Sequence, residues 1–507
     1  MATLSVAAIL AENARRRPDR TALVEGDLRL TFAEVWQRAR AQAGALAGLG
    51  VRPGDRVALM APNTAEFPAA YYAIAAAGAV VVPVHLLLSP GEVEHVLKDS
   101  GATLLLCHPA QAATGGTAAE AVGVRTVTLG AEFERLAGDA EPLRSYETRD
   151  ADDPAVVFYT SGTTGVPKGA VLSHFNLVMN ATVNAFDSND IRADDIALGA
   201  LPLFHAFGQT VSMNSVWRAG ATLVLLPRFD AARAIELMVE EGVNTFHGVP
   251  TMFVALAAAA ADADALPDLR VCISGGASLP VAVLERFEAA FRARVYEGYG
   301  LSETSPTATV NQPWFGTRPG TIGHPLWGVE AEIARAETDD RVELLPVGEL
   351  GEVVIRGHNV FSGYLGRPEA TAEAMVDGWF RTGDLGTKDE DGFLRIVDRK
   401  KDVIIRGGFN VYPREVEEVL MRHPGVAQVA VIGLPDELHG EEVCAVVVPG
   451  PGDDGAVPDA AALTEWAKER LGRHKYPRRV RFTDELPLGP SMKVLKRELR
   501  ARYADAG

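Results

Sequence analysis

Apolar residues recur with a helical period over residues 3–16, 32–49, 65–77 and 90–100, and gather into short runs at 56–60, 80–84 and 103–107. Helices alternating with buried strands predict an α/β sheet with helices on its faces. The alternation resumes further on, with strands at 197–201, 222–226, 245–248, 271–274 and 294–297 and helices at 231–241 and 279–291. Residues 255–267 read as a helix end running into a loop. From about residue 322 the texture changes to short strands (353–356, 377–380, 393–397) between Gly and Pro turns, which predicts a β-rich subdomain. Beyond 398–401 come a strand, a helix at 413–421, strands at 428–434 and 442–449, a Gly/Pro/Asp loop and a helix at 460–471. The expected fold is α/β: a large N-terminal domain over 1–398, with two α/β sheet subdomains and a β-rich one, and a small α+β domain over 399–507.

Charge sharpens this division. The 507 residues carry a formal charge of −18, which argues against a nucleic-acid surface. Residues 399–507 hold 18 Lys and Arg against 17 Asp and Glu, a net of +1, which leaves −19 on the rest. Basic clusters at 399–406, 473–481 and 493–500 are solvated faces or a surface for a polyanionic small molecule. Cys107, Cys272 and Cys444 lie far apart with no metal-type spacing, as expected in a reducing, cytoplasmic setting. Residues 67–91 contain no Asp, Glu, Lys or Arg. Pro83, His85 and the many alanines nevertheless predict a buried helix followed by a strand from Val80, with no stable membrane insertion.

Five stretches carry candidate chemistry. Tyr159-Thr160-Ser161-Gly162-Thr163-Thr164-Gly165-Val166-Pro167-Lys168-Gly169 lies between two apolar runs, so it reads as a loop between strands. Its glycines let N–H groups approach oxyanions, its hydroxyls donate, and Lys168 adds charge. It is not a Walker loop, because Val166-Pro167 separate the glycines from the lysine. In Tyr296-Glu-Gly-Tyr-Gly-Leu-Ser-Glu-Thr304, Gly298 and Gly300 flank the Tyr299 ring on which a purine could stack; Glu303 could hold a hard cation and Thr304 a phosphate. Asp384, in Trp379-Phe-Arg-Thr-Gly-Asp384, could chelate ribose hydroxyls. The fourth stretch is Asp398-Arg-Lys-Lys-Asp-Val-Ile-Ile-Arg-Gly-Gly-Phe-Asn410, and the fifth surrounds Lys493. Each alone reads more readily as a turn or a solvated charge; five in this order do not.

With these motifs, and with Phe361-Ser-Gly-Tyr-Leu365 and Gly407-Gly-Phe-Asn-Val-Tyr-Pro-Arg-Glu-Val-Glu417, the whole chain resembles the adenylate-forming superfamily, most of all bacterial fatty-acyl-CoA ligases. The resemblance implies ATP, Mg²⁺ and coenzyme A. A carboxylate attacks the α-phosphate to give acyl-AMP and pyrophosphate, and the CoA thiol then displaces AMP. It also implies the roles. Thr160, Ser161, Gly162, Thr163, Thr164, Gly165 and Lys168 wrap the phosphates. Tyr299 stacks on adenine, with Gly276, Ala277, Glu297, Gly298 and Gly300 around the nucleotide. Glu303 binds Mg²⁺, Thr304 touches the α-phosphate, and Asp384 and Arg399 hold the ribose. Lys493 bridges carboxylate and phosphate. Lys401 is the hinge of a mobile C-terminal domain, and Gly407 and Gly408 line the path of pantetheine. His205, Ser274 and Gly275 wall an acyl pocket; His205 reads equally as a core histidine. No arginine stands there for a second carboxylate, which argues against a dicarboxylate such as malonate and for an apolar acid, fatty or bulky.

Met492 departs from the pattern, which has glycine before the lysine. Two alternatives therefore accompany the ligase expectation: a thioester-forming enzyme that takes a preformed acyl-adenylate, and a nucleotide-binding regulator or ATPase. The partners expected are a small carboxylic acid, ATP and CoA, with a homodimer as the possible assembly.

Overall fold

The computed structural model describes residues 2–160, 166–450, 458–489 and 494–504. Helix Glu66–Ala76 lies at its centre, with every residue from Phe67 onward buried. A helix apolar all round must be wrapped by protein or by lipid. Here it is protein: one apolar cluster runs from Val57, Leu59 and Val81 through Tyr71, Tyr72 and Ile74 to Trp217, Leu223 and Leu225. Gly78, at φ 70°, turns the chain into strand Val80–Pro83. Among the described residues no helix is long and apolar enough to cross a membrane.

The two ends of that cluster belong to different sheets. The first has seven strands in the order Arg125–Thr128, Leu104–Cys107, Arg56–Met60, Val80–Pro83, Pro154–Thr160, Lys168–Ser173, Gly363–Tyr364. Its first five strands are parallel and the last two antiparallel. The second has nine, with parallel strands Thr222–Leu225, Ile196–Gly199, Thr245–Gly248, Val271–Ser274 and Val295–Gly300 at its middle. Hairpin Thr21–Glu25/Leu28–Thr31 closes one edge, and antiparallel Thr307–Val310 and His324–Pro325 close the other. A polar stitch joins the layers: Tyr72 donates its hydroxyl to Asn214 Oδ1 at 2.8 Å, and Asn214 Nδ2 donates to Tyr71 at 3.2 Å.

A third, antiparallel sheet holds Val329–Ala334, Gly351–Gly357, Trp379–Lys388 and Leu394–Arg399. The fourth, Phe409–Val411, Ile404–Arg406, Gly440–Pro449 and Val426–Asp436 with Arg479–Phe482, belongs to the C-terminal part. Sheet membership thus changes between Arg399 and Ile404, across the turn that carries Lys401. Helix Pro413–Leu420 packs Val416 and Leu420 into the same cluster as Phe253 and Phe287. Its Glu418 accepts the Val281 N–H at 3.4 Å, at the start of helix Val281–Phe291.

Two expectations need correction. The first helix begins at Ala8, because Thr3 bridges Asp150 and the Leu4 N–H donates to Arg149 O, which holds the preceding residues extended. The strand expected at 377–380 begins at Trp379 and runs to Lys388. Asp377 and Gly378, at φ 52° and 79°, form the tight turn before it.

Candidate active site

Strands Pro154–Thr160 and Lys168–Ser173 run antiparallel with Thr160 opposite Lys168, so the Gly/Ser/Thr-rich stretch closes a β-hairpin. Its residues Ser161, Gly162, Thr163, Thr164 and Gly165 lie outside the described residues, as do Met492 and Lys493. At the base of the hairpin Thr160 Oγ1 donates to Glu303 Oε1 at 3.3 Å, and the Tyr364 hydroxyl donates to the same oxygen at 2.9 Å. Lys168 Nζ sits 5.3 Å from the centroid of the Tyr364 ring. Burial, with Glu303 alongside, pushes the Tyr364 phenol upward, so it remains a donor. Tyr364 enters on the two-residue strand Gly363–Tyr364, and the Phe361 N–H donates to Glu303 O at 2.9 Å.

The Glu303 carboxylate is buried, at 7% exposure, and among the described residues it forms no ion pair. A buried carboxylate met by hydroxyls is costly without a cation, and oxygen ligands suit Mg²⁺. Glu303 fits that ion. It rides on the 3₁₀ turn Ser302–Thr304, where one expectation is corrected. Thr304 is fully buried, and its hydroxyl accepts the Leu301 N–H at 2.8 Å and lies within donating range of Leu301 O and Pro306 O. The turn uses Thr304 on its own backbone, away from any phosphate. Ser302 is half-buried, and its hydroxyl makes no hydrogen bond among the described residues, so it is the better candidate.

The residues expected at the nucleoside lie where strand Val295–Gly300 meets the third sheet. Tyr299 donates its hydroxyl to Asp384 Oδ2 at 2.6 Å, and Arg399 Nε lies 3.7 Å from Asp384 Oδ1. Asp384 and Arg399 face each other on neighbouring strands. Thr382 Oγ1 accepts the Asp384 N–H at 3.1 Å and donates to Val353 O, holding the carboxylate in place. A Cβ on Gly300 would meet Pro306 O at 1.8 Å, so only glycine fits there; Gly298 has more room, and Gly276 takes φ 82°. Ala277 is exposed. The Glu297 carboxylate accepts the Leu279 N–H at 3.0 Å, while its other oxygen has no partner among the described residues. Burial raises it to about 7, and Arg414 of the small domain is the main opposing charge.

On the acyl side His205 is half-buried, and its Nδ1 accepts the Phe207 N–H at 3.3 Å. The Phe207 ring lies against Gly275, where a Cβ would stand 3.1 Å away. Ser274 is buried, and its hydroxyl has no partner among the described residues. Phe207–Asn214 forms a π-helical segment, a rare form frequent at functional sites.

Gly407 and Gly408, at φ 57° and 83°, make a two-residue turn with Arg406 opposite Phe409. A Cβ on Gly408 would meet nothing within 4 Å, and Phe409 is 59% exposed, so this turn stands in solvent, away from the other site residues. Lys401 is exposed. Lys496 pairs with Glu417 at 2.7 Å and Arg500 with Asp402 at 3.1 Å, which ties helix Lys496–Tyr503 to the turn around Lys401. Missing from the sequence reading were Ser302, Tyr364 and Thr382. Ser302 and Thr382 lie one and two positions from an assigned carboxylate, which was the available signal; Tyr364 is brought to Glu303 only by the fold.

A model of the AMP-binding enzyme family matches residues 10–365, and that of the AMP-binding enzyme C-terminal domain matches 415–493. A feruloyl-CoA synthase of an Amycolatopsis species is 41% identical over 97% of both chains. A long-chain-fatty-acid–CoA ligase of Mycobacterium tuberculosis is 39% identical over 94% of both. The ATP-bound structure of MatB from Rhodopseudomonas palustris, 34% identical and covering 99% of both chains, superimposes with a TM-score of 0.89; the apo form of the same protein, covering 100% of both, gives 0.79. Fold, motif order and relatives agree: this chain belongs to the AMP-binding enzyme family and is an AMP-forming acyl-CoA synthetase that works with ATP, Mg²⁺ and coenzyme A.

Proposed function

We propose that the ligase acts on a lipophilic monocarboxylic acid, fatty or aromatic. The observation that carries this reading is the charge of the acyl wall. Segments 207–214, 245–256 and 271–277 contain no Lys, Arg, Asp or Glu, so nothing on them pairs a second carboxylate. Relatives acting on ferulate and on long-chain fatty acids, by their names, lend support.

In this reading Lys168, Ser302 and the loop 161–165 hold the phosphates, and Tyr299, Asp384 and Arg399 hold the nucleoside. Glu303 would hold Mg²⁺, which would supply positive charge to the phosphates. An acid oxygen bonds the α-phosphorus as pyrophosphate leaves, and Lys493 offsets the two approaching negative charges. The small domain, residues 399–507, then turns about Lys401 and brings Gly407 and Gly408 to the site. The thiol sulfur bonds the acyl carbon, and AMP departs with the bonding electrons. Met492 motivates a second reading, thioester formation alone from a preformed adenylate. A homodimer and a cytoplasmic setting belong to the same proposal.

The test is pyrophosphate release across a panel of fatty, aryl and dicarboxylic acids, with synthetic acyl-adenylates plus CoA alongside. Release with fatty or aryl acids alone supports the proposal. Release with dicarboxylates alone overturns it, and thioester from adenylates without any pyrophosphate favours the second reading.

A further inference from the structure

Side chains of strand Thr245–Gly248 alternate between two faces. Phe246 goes to the face shared with Phe253, their ring centroids 5.2 Å apart, which leaves His247 on the other. There His247 Nδ1 lies 3.2 Å from Ser212 Oγ, in the same segment Phe207–Asn214 that sets the Phe207 ring against Gly275. His247 is thus on the face covered by the acyl-side segment, at the carboxyl end of parallel strands, where open α/β sheets take ligands. Ile273 stands beside it on the adjacent strand, and Phe207 and Val211 belong to the segment that carries Ser212.

The imidazole is wholly buried, and its Nε2 has no partner among the described residues. Burial draws its pKa down to about 4, so the ring is neutral near neutral pH, with one nitrogen donating and the other accepting. A buried polar atom without a partner is costly, which asks what meets Nε2 in the working enzyme.

We infer that His247 is a specificity-determining residue of the acyl site: Ser212 orients its ring, and Nε2 hydrogen-bonds a hydroxyl carried by the acyl group. The substrate class is then hydroxyl-bearing acids, hydroxyaryl or ω-hydroxyalkyl, rather than plain hydrocarbon acids. Either tautomer serves, because a hydroxyl both donates and accepts. This rests on the monocarboxylate reading above and narrows it.

The experiment compares kcat/KM for para-hydroxycinnamate against cinnamate, and for an ω-hydroxy fatty acid against its unsubstituted partner. The wild-type enzyme is expected to favour the hydroxylated member of one pair by about tenfold or more, and the pair showing it tells aryl from alkyl. His247→Phe brings that ratio to about one by losing the hydroxylated acid while keeping the plain one. Ser212→Ala leaves the ring in place but frees Nδ1, and narrows the ratio. No preference in the wild type, or equal losses on both acids in both variants, overturns the inference and leaves a core histidine satisfied by a trapped water. An enzyme that activates no acid in either pair or the wider panel sinks the monocarboxylate reading, and this inference with it.

Discussion

Two hydroxyls flank Glu303, and the backbone decides between them. Ser305 takes φ 71° immediately after the turn, and that geometry draws Thr304 onto Leu301 and Pro306. Sequence alone does not say which hydroxyl is turned onto the backbone, and here it is that of Thr304, which leaves Ser302 as the candidate for a phosphate. The two variants separate the roles. Ser302→Ala is expected to lower the adenylation rate ten- to a hundredfold, through loss of a charge-assisted contact, with little change in melting temperature. Thr304→Val is expected to cost about 1–3 kcal/mol of stability, because buried backbone groups lose their partner. Melting curves and pyrophosphate release on both proteins check this; the opposite pattern restores Thr304 to the phosphate. Tyr299 and Asp384 were legible as separate motifs. That one hydrogen bond joins them was not, because their proximity depends on how the third sheet meets strand Val295–Gly300.

Among the elements, three strands were read to the residue, Thr245–Gly248, Val271–Ser274 and Arg56–Met60, while others such as Val80–Pro83, Leu104–Cys107 and Ile196–Gly199 end a residue or two from the expected bounds. Helix Pro90–Ser100 was also read to the residue, since its Ser89–Glu92 capping box and left-handed Gly101 mark both ends. Segment Phe207–Asn214 escaped the reading because its polar residues Gln209, Thr210, Ser212 and Asn214 are buried with the apolar ones, so its polarity pattern does not mark a solvent face. Hairpin Thr21–Glu25/Leu28–Thr31 escaped because its outer strand is short and begins with exposed residues. The Gly407–Gly408 turn combines a motif that was legible with a position that was not. Gly408→Asn keeps a residue that tolerates positive φ while adding bulk. Acyl-CoA formation from a synthetic adenylate is expected to fall at least tenfold, with adenylation nearly unchanged. Equal loss in both half-reactions removes the turn from the thiol's path.

For the whole molecule, the junction of the small domain with the large one carries a titration. Glu297 is raised from 4.5 to about 7 by burial, with Arg414 opposing. A carboxyl raised on folding is protonated in the folded state where the unfolded chain has already ionised. Its contribution is therefore favourable at low pH and is lost as pH rises from about 4.5 to 7. Glu297→Gln is expected to gain stability relative to wild type through that window and to match it at pH below about 4; a constant difference across the range contradicts the assignment. Glu297 was expected among the nucleotide contacts because it stands beside Gly298 and Tyr299 in the chain; that the charge of Arg414, on helix Pro413–Leu420, also acts on it depends on how that helix docks.

The central claim is that one site joins acid to AMP and then to CoA, with Lys493 needed for the first step alone. It is tested most directly by following both half-reactions in wild type and Lys493→Ala. With acid and ATP but no CoA, the wild type is expected to release pyrophosphate and retain acyl-AMP, and the variant to lose that activity by at least a hundredfold. Given synthetic acyl-adenylate and CoA, both are expected to form thioester at similar rates. Release of ADP and phosphate in place of AMP and pyrophosphate, or adenylation by Lys493→Ala at the wild-type rate, would contradict the account.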